Sequence, residues 1–210
     1  MLKVRTNKFG RSTGGHVSHS KARAQAPHTR KDGAPSLRFV ALGGLEEIGR
    51  NCSFFEYGNE IIIVDVGIQF PEEETPGIDY IIPNISYLEG RKEDIRGIVL
   101  THGHYDHIAA LHYLMEKLGN PLIYTAKFTK AMVEKRHEEF TNAPKLRFEV
   151  VAAGSVVNIS EHFRAEFFEV EHTIPEALGF ILDTPAGKMA SFGDFRLDIG
   201  KDGTPEHTEI

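Results

Sequence analysis

The chain has 210 residues, 40% of them hydrophobic, which is enough for one domain with a true core or one and a half at most. A membrane-spanning helix needs about 18 consecutive apolar residues, and neither such a run nor the apolar core of a secretory signal is present. The net charge of −6 divides unevenly: residues 1–36 hold eight Lys or Arg against one acid, Asp32, and the remaining 16 bases against 29 acids make a body whose composition alone argues against a phosphodiester partner.

Residues 1–36 combine Gly, Ser, Thr, His and bases with few large apolar side chains and no periodicity, which predicts a disordered basic arm with ordered structure from about Leu37. Such an arm reads as a solvated extension, as a tether for RNA, or as an organelle transit peptide, rich in Arg and Ser and poor in acids. Residues 37–42, 52–57 and 60–66 are β-rich runs, and Tyr57-Gly58-Asn59-Glu60 closes a hairpin, so the opening is antiparallel. Cys52, the single cysteine, reads as a core residue and fits a reducing compartment, with the cytoplasm as the expected location unless the arm targets an organelle.

After a Pro- and Glu-rich loop, in which Glu72-Glu73-Glu74 reads as solvated, residues 95–101 form a buried strand. Ile108, Leu111, Leu114, Met115 and Leu118 then recur at helical spacing until Gly119, predicting one helix from about His107. Residues 122–125 read as a strand, 127–140 as a helix, and 146–151, 156–159, 163–170, 178–183 and 188–192 as a β-rich tail. Sheets with flanking helices predict a layered α/β sandwich. The last residues, 205–210, show neither a capped helix nor a closing strand and read as the end of a fragment.

The chemistry concentrates in Leu100-Thr101-His102-Gly103-His104-Tyr105-Asp106-His107, between the buried strand and the amphipathic helix. Side chains alternate along an extended segment, so His102 and His104 share a side and both imidazoles can face one ion. Asp106 and His107 fall where the helix begins and can serve a second ion, with Gly103 letting the backbone turn and approach closely. Asp106 is also a plausible N-cap for the helix, and the two roles are compatible. Three histidines and an aspartate within six positions are too concentrated for an ordinary strand end. His172, after a β-run and before Pro175, and Asp194, after Gly193, are weaker candidates whose local setting equally suits simple turn residues. Asp65 ends the run Ile61-Ile62-Ile63-Val64 and is either solvated there or accepts an imidazole N–H to orient a metal ligand. His112 and His137 are expected on helix surfaces and His162 after a turn; these, with His16, His19, His28 and His207 in mobile segments, are not expected to bind metal.

His102-Gly103-His104-Tyr105-Asp106-His107 resembles the H-x-H-x-D-H signature of the metallo-β-lactamase superfamily. Leu42-Gly43-Gly44-Leu45-Glu46-Glu47-Ile48-Gly49-Arg50-Asn51, Val64-Asp65-Val66-Gly67-Ile68-Gln69-Phe70-Pro71, Gly77-Ile78-Asp79 and His172-Thr173-Ile174-Pro175-Glu176 resemble the ribonuclease J family in particular. The likeness implies an αββα sandwich, incomplete here: residues 37–210 correspond to the N-terminal part of its metallo-β-lactamase domain, with the rest and a β-CASP domain to follow. It further implies two Zn2+ ions, one on His102, His104 and His172, the other on Asp106 and His107, with Asp194 bridging and a hydroxide held by the metals as nucleophile. A third ligand for the second ion is expected beyond Ile210. Some members of the family hold Ca2+, which would here use the Gly77 carbonyl and the Asp79 side chain. Tyr105 stands where the family usually has Glu, and Ala109 where it usually has Gly; neither change removes a ligand.

The activity implied is endonucleolytic and 5′-to-3′ exonucleolytic cleavage of single-stranded RNA, 5′-monophosphorylated for preference, in RNA processing and decay, with no membrane partner and a homo-oligomer at full length. The rival readings are a thioester or lactam hydrolase of the same fold and an RNA-binding subunit without catalysis. The 210 residues alone are expected to cleave RNA poorly.

Overall fold

The computed structural model describes residues 33–71, 77–199, 201 and 203–206. Residues 1–32 of the arm expected over 1–36, the Glu72-Glu73-Glu74 loop and His207 therefore lie outside the described residues. Strands β1 (Arg38–Gly43), β2 (Cys52–Tyr57), β3 (Glu60–Val64), β4 (Ile95–Val99), β5 (Ile123–Thr125) and β6 (Phe148–Val150) form one sheet in chain order. The β1–β2 and β2–β3 pairs are antiparallel, and Tyr57 faces Glu60 across the expected hairpin, whose Gly58 takes φ 60°. From β3 to β6 the pairing is parallel, which requires crossovers rather than hairpins. Every residue of β3 is buried, as its unbroken apolar run implies for a strand covered on both faces.

The second sheet is antiparallel, with β7 (Val156–Asn158), β8 (Arg164–Glu169), β9 (Leu178–Thr184) and β10 (Gly187–Ser191) in the order β10-β9-β8-β7. In β8, Ala165 and Phe167 point inward while Arg164 and Glu166 are exposed, the period-two pattern of a half-covered strand. A separate two-stranded ladder pairs β11 (Asp198–Ile199) with β12 (Pro205–Glu206), correcting the expectation of no strand near residue 205. Strands of two residues carry no periodicity that a sequence can display.

Two apolar layers hold these parts together. Phe55, Ile62, Val64 and Val99 from the first sheet meet Phe167, Phe180 and Leu182 from the second and Phe163 just before β8. On the first sheet's other face, Phe54, Ile61, Ile63 and Ile98 pack against Ile108, Leu111, Leu114 and Val133 of helices α1 (Tyr105–Ile108), α2 (Leu111–Leu114) and α3 (Lys127–His137). Each fully buried side chain of this kind contributes about 1.5–3 kcal/mol. The result is a helix layer on two stacked sheets, the expected sandwich. Cys52 is buried as expected, and no helix among the described residues is long and apolar enough to cross a membrane.

The expected single helix from His107 is instead two short ones, and the backbone accounts for the break. Val66 N–H donates to the His107 carbonyl at 2.7 Å and Asn51 N–H to the Asp106 carbonyl at 3.0 Å, while Ala110 N–H turns to the Val66 carbonyl at 2.9 Å. Loop residues after β1 and β3 thus take carbonyls that the helical ladder would have used. Asp106 is not the N-cap either: that position belongs to His104, with no side-chain cap bond, and Asp106 lies in the first turn. His112 is buried rather than on a helix surface, its Nδ1 3.0 Å from His137 Nδ1 and its ring stacked on Phe140.

Candidate metal centre

The site forms where β3, β4, β8 and β10 end. β3 stops because Asp65 turns into the left-handed region at φ 57°, which aims its carboxylate at the loop after β4. There it accepts from Thr101 N–H at 2.8 Å and Thr101 Oγ1 at 2.9 Å, and it lies 2.8 Å from His107 Nδ1. Asp65 therefore joins the strand end to an imidazole and is not solvated. Thr101 Oγ1 also lies 3.0 Å from His102 Nδ1, so both buried histidines are held by their Nδ1 atoms and present Nε2 to the site.

Three nitrogens converge on one point. His102 Nε2 lies 3.0 Å from His104 Nδ1, and His172 Nε2 lies 3.1 Å from the same atom. His172 comes from the turn after β8, which Leu178 N–H fastens to the site loop by donating to the Thr101 carbonyl at 2.9 Å. Beside them, His107 Nε2 lies 3.4 Å from Asp194 and 3.6 Å from Asp106. His102, His104 and His172 form one group able to hold a metal ion, and His102, His107 and Asp194 form another. Asp106 contributes from the side of His107, fixed by Asn51 Nδ2, which donates to its carboxylate at 3.2 Å and lies 3.0 Å from His107 Nε2.

The electrostatics suit a cation. Burial, reinforced by the neighbouring His107 and His172, holds His102 at about 3, so it is neutral and its nitrogen free to ligate. Burial also lowers His172. His107 behaves oppositely: burial works against its charge, but the Asp65 and Asp194 carboxylates on either side raise it to about 10. The hydrogen bond from His107 takes Asp194 down to about 2 against the effect of burial. A nitrogen-rich set beside a mixed nitrogen and carboxylate set fits a divalent metal ion.

The six clustered residues and Asp65 are all sequence-predicted, whereas Asn51 and Thr101 are not. Thr101 is visible as the neighbour of His102; Asn51 has no local signal, since its role depends on the loop before β2 being brought to α1. Glycines permit this packing. A Cβ at Gly67 would stand 1.5 Å from the Asp106 carbonyl oxygen, and one at Gly193, where φ is 60°, would stand 2.8 Å from Thr101 Cβ. Gly77 and Asp79 lie elsewhere, on an exposed turn, and Asp79 belongs to neither metal-binding group among the described residues. His162 bonds Glu60 at 3.0 Å, away from the cluster.

Residues 45–208 match the Metallo-beta-lactamase superfamily. Ribonuclease J of Mycoplasma pneumoniae is 37% identical over 172 residues, covering 81% of this chain and 30% of that protein. Ribonuclease J of Corynebacterium glutamicum is 36% identical over 187 residues, covering 85% of this chain and 25% of that protein. The chain thus spans under a third of the length of these curated relatives. In fold, it resembles a protein of unknown function from Enterococcus faecalis with a TM-score of 0.60 at 19% identity, covering 77% of this chain and 44% of that one. It also resembles the metallo-β-lactamase fold protein YhfI of Bacillus subtilis, with a TM-score of 0.53 at 17% identity, covering 75% and 62%. The chain belongs to the metallo-β-lactamase superfamily and, within it, corresponds to the N-terminal part of the ribonuclease J family.

Proposed function

We propose that this chain supplies the metal-binding part of a zinc-dependent ribonuclease acting on single-stranded RNA, both endonucleolytically and from a 5′-monophosphorylated end. The observation that carries the reading is the convergence of His102, His104 and His172 beside His107 and Asp194, in a chain whose relatives are named ribonuclease J. Three converging imidazoles suit zinc with an open position, while His107, Asp106 and Asp194 suit a second ion, with Asp194 as the bridge that the family resemblance implies. The chemistry supplied by zinc at such a site is Lewis-acid polarisation of a phosphoryl oxygen and a lowered pKa for water.

The chain's own residues do the positioning. Asp65 holds the Nδ1 proton of His107, fixing its tautomer and leaving Nε2 for the ion. Thr101 braces His102 in the same way, and Asn51 restrains the Asp106 carboxylate. A calcium ion at the Gly77 carbonyl and the Asp79 carboxylate belongs to the same reading, resting on the resemblance and on two hard oxygen donors.

The test is cleavage of a 5′-monophosphorylated single-stranded RNA by the full-length protein with zinc, with chelator, and beside a lactam and a thioester substrate. Zinc-dependent loss of the RNA supports the proposal. Hydrolysis of the lactam or thioester with the RNA left intact points to the rival hydrolase.

A further inference from the structure

A cleft of about 730 Å³ adjoins the metal centre, its wall including Glu46, Ile48, Phe70, His104, Tyr105 and Asp106. It shares two residues of the centre and presents exposed apolar side chains beside Glu47 and Gln69: Ile48 is 91% exposed, Phe70 61% and Tyr105 37%. Tyr105 sits between His104 and Asp106 in the chain, so its backbone is fixed beside the centre. It is also propped from behind. The Arg136 guanidinium lies 5.5 Å from the Tyr105 ring and 5.7 Å from the Tyr80 ring, and Arg136 Nη2 donates to the Tyr80 hydroxyl at 3.4 Å. Tyr80 in turn meets Phe70 edge-on at 5.9 Å. With its side chain only 12% exposed and paired with Glu139, Arg136 is a fixed support for the rings rather than a free cation.

We propose that Tyr105 is a stacking platform for the unpaired nucleobase flanking the scissile phosphate. The inference rests on the ribonuclease reading and specifies how that site selects its substrate. With the scissile phosphate at the metals, the adjoining cleft must take what is attached to it. A wall that sets Glu46, Glu47 and Gln69 beside Ile48, Ile68 and Phe70 repels a second phosphate but offers apolar surface to the face of a base, and aromatic stacking is tolerant of base identity. A base inside a duplex has both faces covered by its neighbours and cannot present one to Tyr105. The cleft therefore favours single strands without reading their sequence.

The experiment compares the zinc-loaded full-length protein with Tyr105→Ala and Tyr105→Phe on a single-stranded RNA and on the same RNA made abasic at the nucleotides flanking the cleavage site. A second readout is the fluorescence of 2-aminopurine at those nucleotides, which stacking quenches. Tyr105→Ala should raise KM for the intact RNA about tenfold. It should leave KM for the abasic RNA and the zinc content unchanged and abolish the quenching, while Tyr105→Phe restores both KM and quenching. Equal loss on both RNAs, or quenching that persists in Tyr105→Ala, overturns the stacking role while leaving the ribonuclease reading intact. Failure of the unsubstituted protein to cleave either RNA overturns the ribonuclease reading and this inference with it.

Discussion

Asp65 Oδ2 lies 2.8 Å from His107 Nδ1, both side chains being almost wholly buried, so the strand end and the start of α1 are coupled through one contact at the edge of the metal centre. Asp65→Asn keeps the shape and tolerates the positive φ but removes the charge that holds the Nδ1 proton. Zinc affinity, measured by competition with a chelator, should fall about 10- to 100-fold, the usual effect of losing a partner behind a metal-bound histidine. An unchanged affinity would show that Asp65 serves only the fold.

His104 Nδ1 is the atom on which His102 and His172 both converge. His104→Ala should therefore lower the zinc bound per chain by elemental analysis. The sheets should stay intact by circular dichroism, because His104 is only partly buried and lies outside both cores. Undiminished zinc would remove the three-histidine assignment.

Gly67→Ala places a methyl group 1.5 Å from the Asp106 carbonyl oxygen, a backbone atom that cannot rotate away. The loops must separate, costing about 1–3 kcal/mol or more, and the melting temperature should drop by about 5 °C or more. Zinc content should fall with it, since the same loops carry Asn51 and Asp106. A variant as stable and as fully metallated as the original would contradict the close approach.

His112 supplies a pH dependence independent of the metals. Burial, with His137 and Arg136 nearby, lowers its pKa from 6.5 to about 4, so the folded state binds this proton more weakly than the unfolded state does. The sign follows: the group costs no stability above about pH 6.5, and stability is lost as the pH falls from there toward about 4, with a slope of up to about 1.4 kcal/mol per pH unit. His112→Asn should flatten this part of a denaturation profile measured against pH. Parallel profiles for the two proteins would mean that His112 does not titrate with unfolding.

The basic arm makes its own prediction. Removing residues 1–32, which carry eight Lys or Arg, should weaken RNA binding and reduce the salt slope by about 0.7 for each phosphate that the arm had neutralised, with cleavage chemistry retained. An identical slope after deletion would leave the arm as a solvated or targeting extension.

Much of this centre is local in the chain, which is why it could be read there. His102, His104, Asp106 and His107 lie within six residues, and period-two and helical spacing are enough to bring their side chains near one another. The hairpin at Gly58, the buried run of β3 and the alternation in β8 are likewise properties of short windows. His172 and Asp194 carry no local signal strong enough to stand alone; only the resemblance assigns them. What the tertiary structure decided are contacts between segments distant in sequence. Asn51 meets Asp106, Asp65 meets His107, Arg136 props Tyr105, and Val66 and Asn51 take the carbonyls that break the expected long helix in two. The apolar periodicity of residues 108–118 is the same whether a helix is continuous or interrupted. Hydrogen-bond competition from a loop over 40 residues away leaves no mark on that periodicity, so the break, and the cleft beside it, appear only when the chain is folded.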